Sequence, residues 1–125
     1  MTVKRESMEF DVVIVGAGPA GLSASIKLMQ LSQEKSLDLN VCVLEKGSDV
    51  GSHIISGAVI ETRALDELLP DWESSDSFKH TAVTKDQMSI LMNEESSVNV
   101  PPFLIPRAMN NHGNYITSVG SLCRW

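Results

Sequence analysis

Three glycines lie at a spacing that suits the binding of a phosphate group. Gly16, Gly18 and Gly21 directly follow the aliphatic run Val12–Val15, with Pro19 among them. In a strand-to-helix turn of this kind, the first glycine permits the tight turn and the second lets a pyrophosphate approach the backbone. The third lets the helix pack closely on the sheet. The helix start favours negative charge through its unpaired N–H groups and its dipole. Glycine spacing alone is a weak signal, so the surrounding elements must support it.

The elements on both sides of the glycines predict a parallel βαβ unit. The stretch "FDVVIV" is aliphatic and β-branched, which is typical of a parallel strand buried on both faces. From Pro19 the apolar residues recur at a helical period, and the polar stretch "SQEKSLDLN" ends this helix of about four turns. A second aliphatic run, "VCVLE", follows as the next strand. The glycine turn therefore has the context that a dinucleotide site requires.

An acidic residue stands where the second strand ends. Glu45 closes the run "VCVLE", a position from which a carboxylate accepts hydrogen bonds from both hydroxyls of an adenosine ribose. A carboxylate there disfavours the 2′-phosphate of NADP. Two ligand-free interpretations stay open: a structural glycine turn, and an ordinary exposed glutamate before a loop. These features do not separate FAD from NAD.

Composition limits the partners and the compartment. The chain has 125 residues and a formal charge of −6, which disfavours nucleic acid as a partner. Its two cysteines form no framework or C-x-x-C motif, which indicates packing roles in a reducing compartment. The first residues, "MTVKRESMEFD", lack signal-peptide or transit-peptide character, and no apolar run is long enough to span a membrane. We therefore expect the chain on the cytosolic side.

The second half of the chain has a different pattern. A small-residue segment from Gly51 to Gly57 follows Glu45 and suits a path along a flavin. The stretch "TRALDELLP" predicts a short helix with Thr62 as N-cap. We expect an antiparallel hairpin of "QMSILM" and "SVNV", and the prolines of "VPPFLIP" interrupt regular structure. "GNYITSVG" predicts a further strand, and "SLCRW" the first turn of a helix.

Four stretches carry a family resemblance: "FDVVIVGAGPAGLSA", "VCVLEKGSDVGSHIISGAVI", "LLPDW" and "MNNHGNYI". Together they resemble the N-terminal part of the electron transfer flavoprotein–ubiquinone oxidoreductases, from about Arg5 to Trp125. The resemblance implies an α/β fold, the N-terminal part of a doubly wound FAD/NAD(P)-binding domain joined to the start of an antiparallel substrate or quinone domain. Residues 1–60 are the expected FAD-binding βαβ unit and flavin loop. Residues 61–125 are the expected start of the cap or quinone-binding domain, incomplete at its C-terminal end.

The resemblance also implies a chemistry. The family passes electrons from reduced electron transfer flavoprotein to ubiquinone in the respiratory chain, with one FAD and one [4Fe–4S] cluster. It implies attachment to one membrane leaflet, at the cytoplasmic side of the bacterial inner membrane or at the mitochondrial inner membrane in eukaryotic relatives. Cluster ligands are expected outside this chain, because such a cluster needs four thiolates. By position, it assigns the FAD pyrophosphate to Gly16, Gly18, Pro19, Ala20 and Gly21, the adenosine ribose to Glu45, and the flavin side to Ser56 and Gly57.

Two other interpretations stay open, and the chain alone is not expected to be active. One is a different flavoprotein reductase or oxidase of the geranylgeranyl reductase type. The other is a truncated product that binds FAD poorly and has no activity. The family usually has alanine where this chain has Ser52.

The segment from Ile54 to Trp72 allows two interpretations. The apolar stripe of this segment, which includes Leu65 and Leu69, predicts either a core face or a shallow insertion into one leaflet with Trp72 at the headgroup level. We expect His53 and His80 to be loop histidines, and "NNHGNY" to be a turn.

Overall fold

The structure is a computed structural model that describes residues 6–77 and 79–125. Its elements are β1 (Val12–Val15), α1 (Pro19–Glu34), β2 (Val41–Leu44), β3 (Gly57–Ile60), α2 (Arg63–Leu68), β4 (His80–Ala82), β5 (Ser89–Leu91), β6 (Ser97–Asn99), β7 (Tyr115–Ser118) and α3 (Val119–Arg124). Their contacts divide the chain into two compact units. The first contains the described residues up to Ser56 together with Val119–Trp125, and the second is Gly57–Ser118.

The first unit confirms the predicted βαβ arrangement. β1 and β2 pair in parallel, from Val12 opposite Val41 to Val15 opposite Leu44. The connecting helix α1 begins with proline at its first turn and packs on both strands. Proline suits this position because the first N–H groups of a helix have no intrahelical acceptor.

One face of this two-stranded sheet is open. Val13, Val15 and Leu44 are 51%, 84% and 52% exposed, whereas Val12 and Ile14 are half-buried. The prediction that the first strand is buried on both faces is therefore wrong for the part of the chain that the structure describes. A doubly wound fold covers both faces of its sheet with helices, and that finer assignment stays a prediction.

The second unit contains two antiparallel sheets. β7 lies between β3 and β4, with Ile116 opposite both Val59 and Thr81. β5 and β6 form the predicted hairpin, with Ile90 opposite Val98. β4 was not predicted, because its three residues "HTA" carry no alternation of apolar and polar side chains. The predicted strand at β7 and the short helix at α3 are present.

A buried tryptophan anchors the second unit. Trp72 is 1% exposed, and its ring meets those of His80 and Tyr115 edge-on at centroid distances of 5.1 and 5.2 Å. Its indole N–H donates a hydrogen bond of 2.6 Å to Asp66 Oδ1. A buried tryptophan usually finds such a partner, so packing and a polar contact both fix this ring.

The structure corrects two expectations in this part of the chain. Trp72 lies inside the second unit, so the hypothesis that places it at the headgroup level is wrong, and Leu65 and Leu69 are half-buried rather than free on the surface. His80 belongs to β4 rather than to a loop. Thr62 is the N-cap residue of α2, as predicted, although its side chain makes no capping hydrogen bond; its hydroxyl donates to Asp66 Oδ2 at 2.9 Å instead.

The stretch "NNHGNY" forms a turn directly before β7. Gly113 has a φ of +86°, and the Asn114 N–H donates to the Asn111 carbonyl at 3.0 Å. The side chain of Asn110 accepts from the His112 N–H at 2.9 Å. These are the local bonds that favour asparagine in turns, so the turn interpretation is confirmed.

Candidate cofactor site

The fold requires glycine at the first position of the motif. Gly16 has a φ of +103°, a conformation that glycine adopts without the steric penalty of a Cβ. Its N–H donates to the Leu44 carbonyl at 2.7 Å, which joins the turn to the end of β2. This position therefore sets the direction of the chain between β1 and α1.

The fold also requires glycine at the third position, for a different reason. A Cβ on Gly21 would overlap the carbonyl oxygen of Gly16 and lie 3.2 Å from Cγ2 of Ile14. The first turn of α1 thus rests directly on the end of β1. Close contact between helix and strand explains this glycine without any ligand.

The fold does not require glycine at the second position. Gly18 has φ −80° and ψ 179°, an extended conformation that any residue adopts. A Cβ built on Gly18 meets nothing within 4 Å. Open space beside the backbone is what a pyrophosphate needs at this glycine of the motif. The packing of the fold therefore gives no reason for glycine at this position.

Hydrogen-bond donors lie next to this open space. The first backbone bond into α1 is from the Leu22 N–H to the Gly18 carbonyl, at 3.0 Å, and no side chain caps the helix. Pro19 has no N–H, so the N–H groups of Ala20 and Gly21 precede that first bond. Such groups, with the helix dipole, bind phosphate oxygens. The site fits the pyrophosphate of a dinucleotide.

Glu45 is tied to the glycine turn. Its Oε2 accepts from the Ala17 N–H at 2.9 Å, and its Oε1 accepts from the Gly47 N–H at 2.7 Å. These bonds, first that of Gly47 and then that of Ala17, hold the pKa of Glu45 below its usual value. Because the two oxygens of a carboxylate offer about four acceptor positions, capacity remains for ribose hydroxyls.

Seven of the eight predicted residues lie in the first unit, and six of these belong to the glycine turn or are linked to it. The glycine turn, with Pro19 and Ala20, is linked to Glu45 through Ala17. Ser56 is the last residue of this unit before the chain enters the second, and Gly57 is the first residue of β3. Pairing explains the glycine at Gly57, because a Cβ there would lie 2.9 Å from the Thr117 carbonyl oxygen. The flavin-side role of Ser56 and Gly57 stays a prediction.

Two features of this region have little signal in the sequence. Ala17 is buried and its N–H is bound to Glu45; its place between two motif glycines is the only hint. Gly51 contacts Gly120 of α3 by backbone alone, and no local pattern predicts a contact between residues so far apart in sequence. Both features lie within the first unit.

The cysteines and the helices give no further site. Cys123 is buried, which raises the pKa of its thiol, and Cys42 is half-buried. Across residues 6–77 and 79–125, no group of three or more His, Cys, Asp or Glu side chains is placed to hold a metal ion. In the same residues, every helix is too short or too polar to cross a bilayer.

Curated relatives align along almost the whole chain. The electron transfer flavoprotein-ubiquinone oxidoreductase of Pseudomonas aeruginosa is 56% identical over 98% of this chain and 22% of its own length. The probable enzyme of the same name from Acinetobacter baylyi is 54% identical over 100% and 22%. The mitochondrial one from Dictyostelium discoideum is 53% identical over 97% and 19%. The chain spans about a fifth of the length of these relatives.

A family model covers most of the chain as well. The model of the Thi4 family matches residues 1–110. That range includes the glycine turn, Glu45 and the strands β3 and β4, but not β7. The chain therefore belongs to the Thi4 family and has the α/β architecture of an FAD-binding domain.

Proposed function

We propose that this chain forms the FAD-binding part of an electron transfer flavoprotein–ubiquinone oxidoreductase. The names of the relatives that align with 97–100% of the chain support this assignment. In the whole protein, electrons pass from reduced electron transfer flavoprotein through FAD and a [4Fe–4S] cluster to ubiquinone. The cluster ligands lie outside this chain. The protein works at the cytoplasmic face of the bacterial inner membrane.

The observation that carries the proposal is the open backbone at Gly18 beside Glu45. The fold explains Gly16 by its φ and Gly21 by its close contact, but it leaves Gly18 unexplained without a ligand. The N–H groups of Ala20 and Gly21 are the donors for the FAD pyrophosphate.

The residues of this chain bind and orient the cofactor. Bound FAD supplies the electron-carrying group. The glycine turn admits the pyrophosphate, and the dipole of the 16-residue helix α1 favours its charge. Glu45, held ionised by the Gly47 and Ala17 N–H groups, accepts from the ribose hydroxyls. Two fixed points along the adenosine diphosphate set the direction in which the flavin extends.

The proposal also includes contact with a membrane surface. We assign this contact to the β5–β6 hairpin and the turn after it, not to the segment Ile54–Trp72. The β5–β6 hairpin exposes Leu91 at 80%, and Phe103 in the following turn is 84% exposed. Further exposed apolar side chains of this region are Ile90, Met92, Val98 and Leu104. Large exposed apolar patches on soluble proteins often mark interaction surfaces, and a lipid surface adjoining a quinone would cover these side chains.

A chimera tests the proposed function in a complete protein. This chain replaces the aligned segment of the Pseudomonas aeruginosa relative, and the unmodified relative is the control. We expect stoichiometric FAD and reduction of a short-chain ubiquinone analogue by reduced electron transfer flavoprotein. A chimera that binds FAD but reduces no quinone from this donor would contradict the proposal and favour a reductase of another type. A soluble chimera without FAD would contradict the FAD-binding role itself.

A further inference from the structure

A backbone contact joins the loop after β2 to α3 within the first unit. Gly51 has a φ of +77°, and a Cβ on it would lie 2.6 Å from the carbonyl oxygen of Gly120 and 2.9 Å from its Cα. In the other direction, a Cβ on Gly120 would lie 3.1 Å from the carbonyl oxygen of Gly51. Gly120 is buried. The two main chains therefore meet directly, with no side chain between them to absorb a displacement.

The loop continues this contact to Glu45. Ser52 follows Gly51, and a Cβ on Gly47 would overlap the hydroxyl oxygen of Ser52. The same Cβ would lie 3.1 Å from Glu45 Oε1, which accepts the Gly47 N–H at 2.7 Å. Through its other oxygen, Glu45 holds the Ala17 N–H in the glycine turn. Close contacts thus run from α3 to both parts of the candidate cofactor site.

We propose that Gly120 is a positioning residue for the adenosine end of FAD. By meeting Gly51, it sets the position of the loop from which Ser52 and Gly47 fix the Glu45 carboxylate. Any side chain at Gly120 moves the Gly51 carbonyl by a few tenths of an ångström. Close-packed interiors pass such shifts on to their neighbours. The inference rests on the proposed role of Glu45 as the acceptor of ribose hydroxyls.

Gly120→Ala in the holo-chimera is the test, because alanine suits a helix better than glycine and the fold is expected to persist. The release of FAD after dilution is followed by recovery of flavin fluorescence. We expect release about 2- to 30-fold faster than in the parent, the range for mutations that act through packed neighbours. Hydrogen exchange of a peptide covering residues 47–56 is expected to rise, whereas that of residues 89–99 is unchanged.

Two further variants complete the design. Gly113→Ala is the control for loss of a glycine away from this path, because Gly113 lies in the second unit and no atom lies within 4 Å of an added Cβ; FAD release is expected at the parent rate. Ser52→Val changes the same series of contacts at an exposed residue. It therefore tests the positioning role if Gly120→Ala does not fold. Faster release is expected for Ser52→Val as well.

The outcomes separate this inference from the proposed function. Parent-like release and exchange in Gly120→Ala, or parent-like release in Ser52→Val, would overturn the positioning role. If Gly18→Val loses FAD in the same series, the proposed cofactor site stands and only the role of Gly120 is lost. If Gly18→Val keeps FAD, the proposed site itself fails.

Discussion

The sharpest prediction concerns Gly18, because the fold accepts any residue there, whereas the proposed ligand requires glycine. A valine at Gly18 adopts the extended backbone without strain, and its Cβ meets no protein atom within 4 Å. The free energy of unfolding of the apoprotein is therefore expected to change by no more than about 0.5 kcal/mol, as for ordinary surface substitutions. FAD binding is expected to collapse, because the added side chain occupies the path of the pyrophosphate.

The magnitude follows from the donors that the pyrophosphate would lose. The N–H groups of Ala20 and Gly21 precede the first hydrogen bond of α1, and a charge-assisted hydrogen bond contributes about 1.5–3 kcal/mol. Loss of both corresponds to roughly 3–6 kcal/mol, or about 10²- to 10⁴-fold in affinity. The assay is FAD content of the purified chimera, with urea unfolding of the deflavinated protein measured alongside.

Two comparison variants sharpen this test. Ala24→Val adds a branched side chain at an exposed position of the same helix and is expected to keep FAD. Gly21→Ala places a Cβ against the Gly16 carbonyl and is expected to cost about 1–3 kcal/mol of stability, since the overlap is with backbone. Parent-level FAD in Gly18→Val, or loss of FAD only together with unfolding, would refute the reasoning.

The pKa of Glu45 is lowered in the fold, so its contribution to stability is present above pH 4.5, the ordinary pKa, and is lost as pH falls through the lower folded value. The difference in unfolding free energy between the parent and Glu45→Gln should therefore shrink below pH 4.5 in urea titrations. A difference that stays constant with pH would contradict the assignment. Trp72→Ala should destabilise by about 3–5 kcal/mol, as for buried aromatic residues, without altering liposome binding by the folded protein; a surface role would give the reverse. Leu91→Asp should weaken cosedimentation with liposomes and keep FAD, whereas Ser97→Asp, which adds the same charge at the paired position of the hairpin, should weaken it less; equal losses would show a charge effect alone.

The burial of Trp72 shows why periodicity did not locate the exposed apolar surface. The stripe with Leu65 and Leu69 has the same pattern whether it faces lipid or a core, and only the rings of His80 and Tyr115 around Trp72 decide between them. By contrast, Leu91 and Phe103 lie in short segments that carry no amphipathic period, so only the structure shows that both are exposed.

Local patterns in the sequence were enough to predict the βαβ unit, the hairpin, and Gly16, Gly18, Gly21 and Glu45 as parts of one candidate site. These predictions rest on local physics, since hydrophobic period, turn residues and the strain at a positive φ are properties of short segments. Three features needed the packed fold: which glycine has no packing reason, the bond from the Ala17 N–H to Glu45, and the contact of α3 with the loop at Gly51. Such contacts join residues far apart in the chain, and their geometry depends on how whole elements pack, which no local pattern encodes.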